Sequence, residues 1–260
     1  MRLSSDQMYQ YERDGFLVLE NLFSVAEVEA LRAAFEADAR VPGPQRVLED
    51  GSDRVRAVYA SHERRPEFAE LIRTPRLLGP VRALLSESVY LYQMKINAKP
   101  PFGGDKWGWH QDYLAWQLAD QLPAPKLINV TVLLDEATEF NGPLIMVPGS
   151  HADGLLREDR ADDHRSEQHL DPDDIALGQE ELAALAAKHG FHSIKAPAGS
   201  VVFFHPEIVH GSAPNMSPFP RRLFIATYNA TDNVPLTPNP RPRYLVGRDV
   251  TPLEPLEAAR

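Results

Sequence analysis

Apolar residues recur at helical spacing through about the first ninety positions and at strand spacing beyond them, the change falling near Val89. Val28, Leu31, Ala34 and Phe35 return at intervals of three and four, which predicts a helix over Val25 to Arg40. Ser24 precedes it and Glu27 follows three residues later, the form of a capping box. Ser5 to Asp14 predicts a short helix and Gly15 to Leu19 a strand. Pro66 to Ile72 and Pro75 to Leu85 predict two more helices, each with proline at its start, where a missing N–H costs nothing. Beyond Val89, strands are predicted at Val89–Asn97, which alternates only in part, and at Leu127–Leu134, Leu144–Val147, Gly199–Phe204 and Arg222–Asn229. Val201 to His210 reads as one apolar run, and Asn141-Gly142-Pro143 and Pro148-Gly149 punctuate the strands. Arg157 to Asp174 is charged throughout and predicts an exposed loop, with a surface helix at Glu180 to His189. Many short strands between Gly and Pro turns predict a mainly β fold with flanking helices, a sandwich or barrel of jelly-roll type. One domain over 1–260 is expected: 1–88 mainly helical support, 89–230 the β core, 231–260 a C-terminal segment.

Composition narrows the function classes. With 43% hydrophobic and 25% charged residues the chain is an ordinary globular protein, and a net charge of −10 argues against nucleic acid or an anionic membrane as partner. No apolar run reaches membrane-spanning length, and Met1 to Asp6 opens straight into polar, helix-like sequence, so a cytoplasmic location is expected. There are no cysteines, which removes disulfides and thiolate metal sites. Asn129, Asn215 and Asn229 head Asn-x-Ser/Thr triplets that read as chance matches. Oligomeric state is left open.

The candidate chemistry begins at His110-Gln111-Asp112. Residues i and i+2 of an extended segment share a side, so an imidazole and a carboxylate can meet one ion there. His210 can supply a second imidazole from a distant strand, and two His with one carboxylate hold Fe(II) by one face, leaving three positions open. Arg221 stands eleven residues after His210, far enough for a turn and a returning strand, where its guanidinium can grip the distal carboxylate of a 2-oxo acid. Trp107, Trp109 and Trp116, the three tryptophans of the chain, bracket the triplet, which separates it from a surface turn. His205 is expected on the face opposite His210, His151 to order a loop beside the Gly149 turn, and Arg222 to point away from Arg221.

The segments Trp109-His110-Gln111-Asp112-Tyr113, Asn141-Gly142-Pro143-Leu144, Pro148-Gly149-Ser150-His151, and His210-Gly211-Ser212 with Arg221 resemble the phytanoyl-CoA dioxygenase family, in its ectoine-hydroxylase-like branch. More narrowly, Tyr59-Ala60-Ser61-His62, Phe102-Gly103-Gly104-Asp105 and Phe204-His205-Pro206-Glu207-Ile208 are similar to free-leucine 5-hydroxylases of nonribosomal peptide biosynthesis. The resemblance implies a double-stranded β-helix, with His110, Asp112 and His210 as iron ligands. It also implies 2-oxoglutarate held by Arg221 and Ser212 with help from Gln93 and Asn97, and O2 as oxidant. No basic patch for a CoA phosphate is evident. The presence of the Asp112 carboxylate favours hydroxylation over halogenation. The substrate so implied is a free aliphatic L-amino acid, leucine or a close relative, oxidised at an unactivated C–H with release of succinate and CO2. Arg241 is the candidate for its carboxylate, Tyr59 for a hydroxyl contact, Phe102 and Trp116 for an apolar wall, and His169 for closing the site. Rival readings are a hydroxylase of another small or carrier-bound metabolite, a cupin-like metal enzyme without a 2-oxo acid, and a metabolite-binding barrel without turnover.

Overall fold

The computed structural model describes residues 1–156, 175–236 and 241–256. Its strands pair antiparallel throughout and form two sheets. The larger has seven strands in the order β1 (Phe16–Leu19), β9 (Val201–Phe204), β6 (Leu127–Leu133), β11 (Arg221–Ala230), β4 (Val89–Lys99), β3 (Val55–Tyr59) and β2 (Arg46–Leu48). The smaller runs β5 (Trp107–His110), β10 (His210–Ser212), β7 (Ile145–Met146) and β8 (His192–Ser193). This is a jelly roll with helices on one flank.

Helices α1 (Ser5–Asp14), α2 (Val25–Asp38), α3 (Pro66–Leu71) and α4 (Pro75–Leu85) stand where the apolar spacing puts them, and α6 (Gln179–His189) lies on the surface. Ser4 and Ser24 cap α1 and α2 with reciprocal bonds to Gln7 and Glu27. Val28, Phe35, Phe68, Leu77 and Val81 pack on Met94, Ile96, Val130, Val132, Phe203, Phe224 and Ala226, so α2, α3 and α4 cover one face of the large sheet. Phe68 stacks on Phe224 with ring centroids 5.8 Å apart. The opposite face carries Gln93, Lys95, Asn97, Asn129, Thr131, Arg221 and Thr227, the even spacing of a strand placing them together.

The partial alternation of β4 has a cause. Thr227 of β11 pairs with Gln93 and Tyr228 with Leu91, leaving Tyr92 as one extra residue on β4. This bulge turns the strand over. Val89 and Leu91 before it face the helices, as do Met94, Ile96 and Ala98 after it. Two strands unmarked by the hydrophobic pattern, β2 and β3, extend the sheet from the N-terminal part. The apolar run Val201–His210 is broken into β9, a turn, and β10. Gly149 holds φ +76° in a turn whose N–H donates to the Asp14 carbonyl (2.8 Å). No helix among the described residues is long and apolar enough to cross a membrane.

Candidate metal centre and its pocket

The two imidazoles meet because β5 and β10 are neighbours in the small sheet. His110 is the direct cross-strand partner of His210, and their rings lie 4.3 Å apart. Each Nδ1 sits on a backbone carbonyl two residues back, His110 on Gly108 (2.6 Å) and His210 on Ile208 (3.1 Å). An imidazole that donates through Nδ1 presents its Nε2 lone pair to a cation. Asp112 follows by a different route from that read in the sequence. Gln111 is extended (φ −112°, ψ 122°), which puts residues 110 and 112 on one side, but Asp112 then opens helix α5 (Asp112–Asp120) rather than continuing a strand. Gln111 secures the change of direction: its amide donates to the Gly154 and Glu207 carbonyls (2.8 and 2.6 Å) and accepts from Leu156 N–H (2.9 Å).

Asp112 Oδ1 stands 3.4 Å from His110 Nε2 and Oδ2 stands 3.7 Å from His210 Nε2, and one donor atom from each residue lies within 4.8 Å of the others. Donors so spaced suit one ion at about 2 Å from each. Burial lowers His210 to about 4, with the His110 ring adding to the effect. Burial alone would raise the Asp112 carboxyl, but the facing His210, His110 and Lys95 outweigh it and hold it well below the usual range. A neutral imidazole beside an ionised carboxylate is the protonation state that metal binding requires.

The second element is Arg221, first residue of β11, 1% exposed and opposite Lys99 of β4. Burial brings its guanidinium down to about 10, so it stays charged at neutral pH. It makes no ion pair among the described residues, and its Nε is buried without a hydrogen bond. Asn97 Oδ1 and Thr131 Oγ1 are likewise buried without partners, and all three residues line the cavity that holds the triad. A buried charge with orphaned polar atoms around it is costly unless an anion joins it. Arg221, Asn97, Thr131 and Ser212 form a cradle fit for a carboxylate, beside a triad fit for iron.

Residues 11–223 match the family model described as Phytanoyl-CoA dioxygenase (PhyH). The chain belongs to the phytanoyl-CoA dioxygenase family. Among its relatives is the L-proline trans-4-hydroxylase of Streptomyces griseoviridis, 38% identical over 98% of this chain and 97% of that one. The ectoine dioxygenase of Bordetella bronchiseptica is 37% identical over 98% of this chain and 87% of its own. The crystal structure of EctD from S. alaskensis with bound Fe superposes with a TM-score of 0.83 at 32% identity, over 98% of this chain and 87% of that chain. EctD with 2-oxoglutarate and 5-hydroxyectoine gives 0.81 at the same identity, over 98% and 86%.

Within this family frame, the other expected residues divide. Gln93, Tyr59, Trp116 and Ser212 line the cavity with the triad. Gln93 also donates to the Leu245 carbonyl (2.8 Å), tying the C-terminal segment to β4. Trp107 lines the cavity under the Arg56 guanidinium (4.1 Å), whereas Trp109 turns outward onto Phe191 (4.9 Å). Phe102 does not form the expected wall: it is 69% exposed in a turn at φ +50°, its N–H bound to the Ser217 carbonyl, and is absent from the cavity lining. Arg241 reaches the cavity, but its guanidinium is engaged by both oxygens of buried Asp120 in α5, with Tyr92 on the same carboxylate. It serves as a tie for the C-terminal segment rather than a waiting cation. His169 lies outside the described residues. His205 sits in the turn after β9 against His151 (5.1 Å), away from the triad, and His151 contacts the Glu12 carbonyl (3.1 Å). Arg222 points outward to Asp135 and Glu36.

Sequence reading missed Lys95, Asn129 and Thr131. Lys95 lines the cavity above Trp107 (6.0 Å) and, among the described residues, makes no salt bridge, although its charge reaches the Asp112 carboxylate. Its signal was present: Gln93, Lys95 and Asn97 are polar at alternate positions in a strand that is otherwise apolar.

Proposed function

We propose that this chain is an Fe(II)- and 2-oxoglutarate-dependent hydroxylase of a free aliphatic L-amino acid, leucine or a close relative. The observation that carries the reading is a buried, charged Arg221 sharing one cavity with a His110–Asp112–His210 triad whose donor atoms converge as one divalent ion requires. Iron bound there would supply the activation of O2. In balance, 2-oxoglutarate, O2 and a substrate C–H give succinate, CO2 and a substrate C–OH. The chain's own part is to bind and orient. Arg221, with Ser212, Asn97 and Thr131, takes the distal carboxylate of the cosubstrate. Lys95 takes the carboxylate of the amino acid, the role that Arg241 cannot fill while Asp120 holds it. Trp116, Ile175, Leu223, Ile225 and Leu245 provide apolar walls for an aliphatic side chain and exclude water.

Hydroxylation of free L-proline is the second reading, favoured by 38% identity to the proline hydroxylase along almost all of both chains. A panel of leucine, isoleucine, methionine and proline, with Fe(II), ascorbate and 2-oxoglutarate, decides between them by the gain of one oxygen in product mass. Succinate formed only with ectoine-like or carrier-bound compounds would overturn the free-amino-acid assignment. Lys95→Met should raise the amino-acid KM about 10- to 100-fold, the value of one charge-assisted hydrogen bond, and leave the 2-oxoglutarate KM near wild type. Steady-state kinetics with each reactant varied in turn checks this.

A further inference from the structure

Asp112 is not held by the two histidines alone. Asn129, on the cavity face of β6, donates from Nδ2 to Asp112 Oδ2 at 2.9 Å. Its own Oδ1 accepts from the Thr227 hydroxyl at 2.7 Å. Thr227 is the direct cross-strand partner of Asn129 in the β11–β6 register, and both residues are 1% exposed. The relay has one stable orientation, because the carboxylate demands a donor and Thr227 gives its hydrogen to the other end of the amide. A buried amide in a strand reading Leu127-Ile128-Asn129-Val130 costs stability unless both its ends are satisfied, and here both are. Asn129 is also one of the three Asn-x-Ser/Thr positions, and its burial gives that asparagine a place inside the protein.

The chemistry of the triad gives the relay a purpose. An ion with six positions that is bound by two imidazoles and one carboxylate oxygen keeps three for its reactants. If the carboxylate binds through both oxygens, only two remain, one short of a chelating 2-oxo acid plus O2. Asp112 Oδ2 lies 3.7 Å from His210 Nε2, near enough to turn toward a shared ion if nothing restrains it. We infer that Asn129, oriented by Thr227, is a positioning residue that keeps Asp112 a one-oxygen ligand and so keeps three coordination positions available. This rests on the hydroxylase reading for its purpose, though not for its geometry.

The test uses the metal-free protein reloaded with cobalt(II), followed by visible absorption and by titration with 2-oxoglutarate. Wild type should give a spectrum that changes on adding 2-oxoglutarate. Asn129→Ala should alter the cobalt spectrum before any cosubstrate is added and weaken 2-oxoglutarate binding about 10- to 100-fold, the usual cost of losing a hydrogen bond behind a ligand. Thr227→Val, nearly the same shape, should shift both readouts in the same direction by less. It also carries the test if Asn129→Ala does not fold. Cobalt spectra and 2-oxoglutarate affinities equal to wild type in a folded variant would overturn the inference. Wild type that binds cobalt but takes up no 2-oxoglutarate would instead sink the hydroxylase reading, while the variant cobalt spectra still decide the role of Asn129.

Discussion

Arg221 shows how much a single side chain decides. It is a large charged residue buried as deeply as most of the apolar core, at the head of a strand whose other members pack normally. Arg221→Ala should raise the 2-oxoglutarate KM by about 100-fold or more if, as proposed, two charge-assisted bonds to the cosubstrate are lost together. Arg221→Lys should recover part of that, and titrating succinate formation against 2-oxoglutarate measures both. An unchanged KM would place the cosubstrate elsewhere. That the triad and Arg221 could share one site was legible in the sequence, because residue type and spacing are displayed there directly, and the structure brings them to one cavity. Asn129, Thr131 and Lys95 were not, because a polar residue at every second strand position is equally the pattern of a solvent-facing sheet. Only pairing with a second sheet turns that face inward. Phe102 was misread for a related reason: an aromatic side chain suggests burial, while its left-handed turn leaves it on the outside.

At the level of elements, helices with caps and proline starts were legible almost to their ends, since those signals are local. Helix α5 was hidden, because its first residues also complete the His-x-Asp triplet and an extended reading explains them equally well. Strand β10, three residues long, was absorbed into the apolar run before it. The bulge at Tyr92 blurred the alternation of β4, yet it lets one strand serve both packing layers: Tyr90 and Tyr92 join Trp116 and Leu245 on one side, and Met94 and Ile96 join the helices on the other. The closure of that first cluster depends on Asp120 and Arg241. Asp120→Asn leaves a largely buried guanidinium facing a neutral amide, and should cost about 3–5 kcal/mol. The midpoint of denaturant unfolding against wild type checks this, with greater protease sensitivity beyond residue 236 as its companion sign.

For the whole molecule, acid stability follows from buried bases. Burial lowers His205 to about 4 and Lys99 to about 6, the latter with Arg221 and Arg56 adding to the effect. The unfolded chain, titrating near 6.5 and 10.5, therefore binds more protons than the folded one across both intervals, and stability increases with pH through each. Thermal midpoints of the metal-free protein should rise from about pH 4 to about pH 6.5, a limb that His205 shares with His210, so His205→Asn should lessen its slope without removing it; a slope unchanged by the substitution would assign it to other groups. The two sheets are unequal partners in this fold. The strands of the small sheet, β5, β10, β7 and β8, have four, three, two and two residues, so it has few backbone bonds of its own. An ion gripped by β5, β10 and the first turn of α5 would rivet the thinnest wall of the barrel, and its binding free energy would count toward holding that wall shut. Loss of the ion would then loosen the very surface that shields the reactants, so that oxidising power and its container fail together rather than leaving an open, uncontrolled oxidant.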